Sequence, residues 1–206
     1  FAVQDLCDFA GYSYIAIGAA KILGIELMTN FRQPYFAHSV QNFWARWHIS
    51  LSSWFKEYVY IPLGGNRVST PKRIRNIMVV WALTGLWHGA AWNFIFWGIY
   101  YGLLLLLEKY VLIDKLERMP KAVQHIYTMV IVMIGWMLFA APTLGDAVSF
   151  IGTMFCIGGN GFADAASFYY LKSTLILGII AGFNCTPVVY RCFSKLLNSR
   201  EQYKQM

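Results

Sequence analysis

The sequence has little charge. Asp, Glu, Lys and Arg make up 13% of its 206 residues, about half the roughly 25% of an ordinary soluble domain. Hydrophobic residues make up 58% and aromatics 17%. A disordered chain and a solvated coiled coil are excluded by this balance. An ordinary soluble enzyme is disfavoured too, because a domain of this size could not hide so much apolar surface behind so few charges. Cysteine is equally sparse. Cys7, Cys156, Cys185 and Cys192 form no C-x-x-C pair and no zinc spacing with histidine, so a disulfide scaffold and a metal site are not expected, and the four read as small apolar fillers. No Walker or dinucleotide glycine pattern occurs, and Gly64-Gly65 is a turn signal. Gly11-Tyr12-Ser13-Tyr14-Ile15 lacks the second glycine of a nucleophile elbow. Internal repeats, low-complexity tracts and a signal peptide are also missing, and the first residue is Phe1, inside an apolar stretch. A fragment of a longer chain is the expectation.

What is present is a set of apolar segments with basic ends. The expected class is an all-α, polytopic integral membrane protein: one membrane domain over residues 1–206, in contact with the lipid bilayer. The net charge of +7 reads as membrane topology, not as nucleic-acid binding. Phe9 to Ile25 is a span candidate rich in Gly and Ala, small residues that allow close helix approach. Val123 to Ala141, stopped by Pro142, and Ser173 to Tyr190, weakened by Asn184 and Pro187, are two further spans. Gly158-Gly159-Asn160-Gly161 marks a loop between them.

Two segments stand apart. Between Ser39 and Tyr60, Trp44, Trp47, His48, Leu51, Trp54, Phe55 and Tyr58 fall on one helical face. The expectation is one amphipathic interfacial helix, N-capped by Ser39 and ended by Pro62. Ile77 to Leu107 is 31 residues without Asp, Glu, Lys or Arg. One crossing needs about 20 residues and two about 40. A break near Gly85 to Gly89 would give two half-spans meeting at depth; a strongly tilted single helix is the alternative. Loop charge favours the break. Arg67, Lys72, Arg73 and Arg75 precede the run and Lys109, Lys115, Arg118 and Lys121 follow it, which places both ends in the cytoplasm with the basic tail Arg191, Lys195, Arg200 and Lys204. The stretch Pro142 to Leu171 has only Asp146 and Asp164 and falls outside.

His88 is the one ionisable residue in the 31-residue run. A histidine at depth either packs in a bundle through hydrogen bonds or faces a cavity. Apolar surroundings keep an imidazole neutral, the form a general base needs. Trp87, Gly89 and Asn93 flank it. His48 is an interfacial ring or a functional one. Asp8 is a helix-end carboxylate or a partner for His or Arg. The cluster from Arg67 to Arg75 is an orientation anchor, or Arg67 and Arg73 bind donor phosphates. His38 and His125 read as structural.

These residues resemble a family. Phe43-Trp44-Ala45-Arg46-Trp47-His48-Ile49-Ser50-Leu51-Ser52, followed by Tyr60-Ile61-Pro62-Leu63-Gly64-Gly65-Asn66-Arg67, resembles the signature of membrane-bound O-acyltransferases, in the branch of bacterial alginate O-acetyltransferases. Gly85-Leu86-Trp87-His88-Gly89-Ala90-Ala91-Trp92-Asn93 resembles the segment with that family's invariant histidine. Asp8-Phe9-Ala10-Gly11-Tyr12-Ser13, with Ala10 in place of Ser, and Asn30-Phe31-Arg32-Gln33-Pro34-Tyr35 also fit. The match runs from about residue 5 to 109 and is looser beyond Lys121.

The resemblance implies the C-terminal half of a longer, multi-pass protein of the bacterial inner membrane. It carries the catalytic role onto His88 and a second functional role onto His48, which shares the proton or orients the donor. Trp44, Arg46, Trp87, Asn93 and Asp8 are supporting candidates, with Trp87 and Asn93 as oxyanion donors. The implied reaction is acetyl transfer to an extracytoplasmic or surface polysaccharide. It needs no tightly bound cofactor, only acetyl-CoA or an acyl-carrier thioester as donor, and an extracytoplasmic acetyl-transfer protein as partner. The competing readings are a transporter or channel with His88 in its pathway, and a non-catalytic subunit of a polysaccharide-modifying complex.

Overall fold

The computed structural model describes residues 2–157, 163–186 and 188. The expected loop at Gly158 to Gly161, the basic tail, Pro187, Cys192 and the side chains of Asn184 and Cys185 lie outside the described residues. Among those described, every regular element is helical, as the composition predicts.

Helix α1 covers Ala2–Ile22, starting earlier than the apolar run because Asp5 and Asp8 are tolerated inside it. Among the described residues a Cβ on Gly11 or Gly18 would meet no atom within 4 Å. After an irregular stretch come α2 (Val40–Trp44) and α3 (Ile49–Phe55), continued by a π-helical turn over Lys56–Tyr60. The single amphipathic helix expected here is two helices. Ser39 does cap the first, its hydroxyl accepting the Asn42 N–H at 2.9 Å. The chain then breaks at His48, whose φ of 45° and ψ of 55° are left-handed, a conformation uncommon for a side-chain-bearing residue.

The long charge-free run is a helical hairpin, so the expected break is found. α4 (Thr70–His88) and α5 (Trp92–Leu107) are joined by Gly89, Ala90 and Ala91. Its arms are longer than half-spans: α4 has 19 residues, about 28 Å of helix. A π turn at Glu108–Leu112 and α6 (Ile113–Arg118) continue α5. The arms touch backbone to backbone. A Cβ on Gly85 would strike the Phe94 carbonyl oxygen, and one on Gly98 the Trp81 carbonyl oxygen, the small-residue contact that membrane helices use.

α7 (Lys121–Ala140) matches the predicted span closely and stops just before Pro142. It packs on α5, where the Tyr100 hydroxyl donates to the Ile131 carbonyl at 2.9 Å and the Tyr101 ring lies against Gly135. α8 is Leu144–Met154 and α9 is Ala165–Cys185. α9 begins eight residues before the predicted Ser173 because Asp164 caps it, accepting the Ser167 N–H at 2.7 Å. The Ser167 hydroxyl, and after it that N–H, hold the Asp164 carboxyl below the usual carboxylate range. Three helical stretches among the described residues are long and apolar enough to cross a membrane: Trp92–Arg118, Lys121–Ala140 and Ala165–Phe183.

The core lies where α2 meets α5 and α7. Phe43, Val40, Trp47, Trp97, Tyr101, Val132 and Trp136 are its buried members. One carboxylate is buried with them. Glu108, 1% exposed, accepts the Val40 N–H at 2.7 Å and the Gln41 N–H at 3.0 Å. It thereby satisfies donors at the start of α2 that have no partner within the helix.

Candidate functional site

His88 is the last residue of α4, at the tip of the hairpin. Its ring packs edge-to-face on Trp97 at 5.0 Å and Phe139 at 5.2 Å, with Trp87 at 4.9 Å between ring centroids. His48 packs edge-to-face on Phe9 at 4.7 Å and lies 5.8 Å from Trp87. The Trp87 ring therefore contacts both histidines, brought together from positions 40 residues apart.

A chain of backbone contacts explains how His48 gets there. The Asn30 carbonyl accepts the Ile49 N–H at 3.0 Å, and its side-chain oxygen accepts the Ser50 N–H at 3.0 Å. Asn30 also donates to the Ser13 hydroxyl on α1 at 3.4 Å, and the Arg32 N–H donates to the Arg46 carbonyl at 3.0 Å. The first turn of α3 is thus satisfied from outside the helix. His48 occupies the N-cap position but makes no side-chain cap hydrogen bond.

Both histidines line a cavity of about 560 Å³. Its walls are mostly aromatic and aliphatic: Trp44, Trp47, Trp81, Trp87, Trp97 and Phe139 are among them. The cavity follows α4 from Ile77 to His88, a rise of about 16 Å. Opposite the histidine end, beside Ile77 and Leu105, are Lys56, Tyr60 and Lys109. Lys109 donates to the Asn66 side-chain oxygen at 3.2 Å. A second cavity of about 370 Å³, with Tyr12, Ser13, Asn30, Ser50, Leu27 and Met28 in its lining, shares Phe9 and His48 with the first. His48 thus stands in the wall between the two.

The other predicted site residues divide. Trp44 and Trp87 line the main cavity beside the histidines. Asn93 is buried behind the hairpin tip, its amide donating to the carbonyls of Phe139 at 3.4 Å and Ala141 at 3.2 Å; it ties α5 to the end of α7 and is not in the cavity wall. Arg46 donates to the Arg32 carbonyl at 3.4 Å. Asp8 is exposed, whereas Asp5, one turn earlier on α1, lines the cavity. Arg67 is exposed, and Arg73 is half-buried and donates to the Val68 carbonyl at 3.4 Å; the cavity's own cations are Lys56 and Lys109. His38 and His125 pair with each other at 6.0 Å between centroids, away from the site, and the His125 Nδ1 lies 3.1 Å from the Ala37 carbonyl. Among the described residues no group of three or more His, Cys, Asp or Glu side chains could hold a metal.

Four residues at or near the site carry no motif signal of their own in the sequence reading: Asp5, Lys56, Trp97 and Lys109. Asp5 and Lys109 sit at segment ends, where charges read as helix-end or topology residues, Lys56 lies inside the aromatic-rich stretch, and Trp97 reads as one more apolar residue in a long run.

Comparison with known proteins assigns the stretch that contains these residues to a family. The chain is 42% identical over 164 residues to a protein of Azotobacter vinelandii named "Probable alginate O-acetylase AlgI", covering 80% of this chain and 33% of that protein. It is 39% identical over 164 residues to a peptidoglycan O-acetyltransferase of Helicobacter pylori, covering 78% and 31%. Over 106 residues it is 38% identical to a teichoic acid D-alanyltransferase of Bacillus subtilis, covering 48% and 27%. The chain spans about a third of the length of these curated relatives. Residues 4–144, which hold both histidines and the whole main cavity, match the MBOAT family model, and the chain belongs to the membrane-bound O-acyltransferase family.

Proposed function

We propose that this chain carries the acyl-transfer centre of a membrane O-acyltransferase of the bacterial inner membrane. In this reading the enzyme moves an acetyl group from a cytoplasmic thioester to hydroxyls of an extracytoplasmic or surface polysaccharide, with His88 as general base. The observation that carries the reading is the cavity: lysines at one end, an apolar passage of about 16 Å, and two histidines at the other. The cationic end suits the phosphate of a CoA or carrier-protein arm. The passage suits a thioester chain, which has little charge to desolvate. The relatives named above act, by their names, on alginate, peptidoglycan and teichoic acid, and hydroxyl-bearing envelope polymers are the class of acceptor inferred here.

In the proposed step an acceptor hydroxyl gives its proton to the neutral His88 ring as its oxygen adds to the thioester carbonyl carbon. The tetrahedral species collapses, the C–S bond breaks, and the ester is formed. The departing sulfur leaves as thiolate without acid help, since an unperturbed thiol has a pKa of about 8.5. His48, in the wall between the two cavities, is suited to orient the acceptor hydroxyl or share its proton. An extracytoplasmic partner would bring or relay the acceptor. Replacing His88 by Ala in the full-length protein, at matched membrane level, should abolish acetyl ester on the polymer. Unchanged ester content would refute the reading, and solute flux without ester formation would replace it with a transport function.

A further inference from the structure

One hydroxyl in the wall of the main cavity is unspent. Among the described residues, Tyr60, Thr84 and Ser52 are the side chains of that wall that carry a hydroxyl. Tyr60 donates to the Asn66 side-chain oxygen at 2.9 Å. Thr84 donates to the Val80 carbonyl at 2.8 Å, the back-bond to the preceding turn that serine and threonine form in helices. The same bond is open to Ser52 at the His48 carbonyl, which already accepts its backbone N–H at 3.1 Å. Yet among the described residues the Ser52 hydroxyl makes no hydrogen bond. Ser52 is exposed and borders the cavity. Its side chain is a single carbon and a hydroxyl, so the surface it gives the cavity is largely that oxygen.

Position gives this hydroxyl a use. His48, Ser52, Lys56 and Tyr60 all line the cavity, at intervals of four along α3 and its π turn. Residues so spaced share one helical face, so α3 presents a polar stripe. Across the cavity α4 presents Ile77, Val80 and Trp81 before Thr84. Ser52 stands one turn, about 6 Å, from His48 on one side and from Lys56 on the other. An occupant that reaches from Lys56 to the histidines passes it midway. A hydrocarbon chain would have no use for a hydroxyl there. A pantetheine-type arm carries amide groups between its phosphate and its sulfur, and a hydroxyl can donate to an amide carbonyl or accept from an amide N–H. We infer that Ser52 is a donor-binding residue whose hydroxyl shares a hydrogen bond with an amide of the arm that carries the thioester; this rests on the acyl-transfer reading above. The amide takes no part in bond making, so the contact is equal in ground and transition states, and its loss falls on KM for the donor and not on kcat.

The test compares donors with and without the amide. Permeabilised, washed cells that make the full-length protein receive S-acetylpantetheine or S-acetylmercaptoethanol, each radiolabelled in the acetyl group. The first has the amide-bearing arm; the second has the thioester and no amide. Label entering alkali-labile ester on the polymer gives the apparent KM and maximal rate at equal membrane protein. For the wild type, S-acetylpantetheine should have the lower KM. Ser52→Ala should raise that KM about fivefold, the worth of one neutral hydrogen bond, with the maximal rate little changed. It should leave the KM for S-acetylmercaptoethanol where it is. A merely structural effect would move both KM values together. That result, or no change in either, would overturn the role of Ser52, and a His88→Ala protein that fails to label would leave the acyl-transfer reading standing. Labelling from neither probe, while intact cells label from acetate, would overturn it too, because the arm would then have no recognition of its own. If His88→Ala labels at the wild-type rate, the acyl-transfer reading falls and this inference with it.

Discussion

Asn30 caps a helix to which it does not belong: its side-chain oxygen accepts the Ser50 N–H at 3.0 Å, in the first turn of α3. An N-cap residue ordinarily performs this function with its own side chain. Here the N-cap position is His48, in the left-handed region with its imidazole uncommitted to capping. Asn30 takes over the backbone donors, and the imidazole is left to face Phe9 and Trp87. Replacing Asn30 by Ala should cost about 1 kcal/mol of stability, as lost caps do, and should lower ester formation more than that cost explains, because His48 loses its fixed position. Asn30→Asp keeps the oxygen acceptor and should retain most activity. The comparison is made by thermal unfolding of the purified protein in detergent alongside acetyl-ester formation. Equal activity in the two variants would argue against a positioning role.

The hairpin that presents His88 depends on two glycines for closeness. A Cβ at Gly98 would occupy the place of the Trp81 carbonyl oxygen, and at Gly85 that of the Phe94 carbonyl oxygen. Neither is the end of a flexible side chain, so the helices themselves must separate. Gly98→Ala should destabilise by at least the roughly 1–3 kcal/mol typical of overpacking. Gly152→Ala in α8 is the control, since its nearest contact would be the Ile157 carbonyl oxygen at 3.9 Å. Folded yield and thermal midpoint measure both. A Gly98→Ala protein as stable as wild type would show that the arms can move apart freely.

Glu108 makes the third prediction. Its carboxylate is buried and accepts two backbone N–H groups from α2. Glu108→Ala leaves the buried Val40 N–H without a partner, at about 1–3 kcal/mol, while the Gln41 N–H, on an exposed residue, can turn to water. Glu108→Gln keeps one acceptor oxygen and should fall between. The thermal midpoint should order the proteins wild type, Gln, Ala. A reversed order, with Ala above Gln, would mean that α2 finds other partners.

These cases show what a linear sequence reveals about this fold. The end of α7 and the hairpin break were legible because their causes are local: Pro142 follows one helix, and 31 apolar residues are too many for one straight crossing. The capping box at Asp164 and Ser167 is equally local, but Lys172 separates it from the clean apolar run, so hydropathy alone starts the helix too late. The break at His48 was not legible. Ala45, Arg46 and Trp47 contain no glycine or proline, and the aromatic stripe continues through them in helical register. The interruption is accompanied by hydrogen bonds that the Ile49 and Ser50 N–H groups donate to Asn30, 18 positions before His48, so tertiary contact overrides the local pattern. Glu108 read as the charge that ends an apolar run, since nothing near it in sequence announces α2 as its partner. His88 was visible as the one histidine in 31 residues without Asp, Glu, Lys or Arg, whereas Trp97 was one aromatic among many until its contact with the His88 ring set it apart.

The cations of the cavity give the last prediction. Arg67 and Arg73 are the donor-binding candidates from sequence; Lys56 and Lys109 line the cavity, Arg73 is an electrostatic neighbour of Lys109 and Tyr60, and Arg67 is exposed. Lys109 belongs to the turn that ends α5 and Lys56 to the turn that follows α3, so packing sets charges 53 positions apart in the lining of one cavity. If they hold the phosphate of the thioester donor, each contributes a charge-assisted hydrogen bond worth about 1.5–3 kcal/mol, or roughly tenfold or more in affinity. Lys56→Ala and Lys109→Ala should each raise the apparent KM for the thioester donor about tenfold with kcat little changed, since the contact is the same in ground and transition states. Arg67→Ala should leave both constants near wild type. The two lysine effects should weaken as ionic strength rises, because salt screens exposed charges. His88→Ala should do the opposite to the lysine variants, removing kcat, and that split would locate donor recognition at one end of the cavity and chemistry at the other. A large KM effect from Arg67→Ala, with none from the lysines, would move the donor's phosphate to the outer loop.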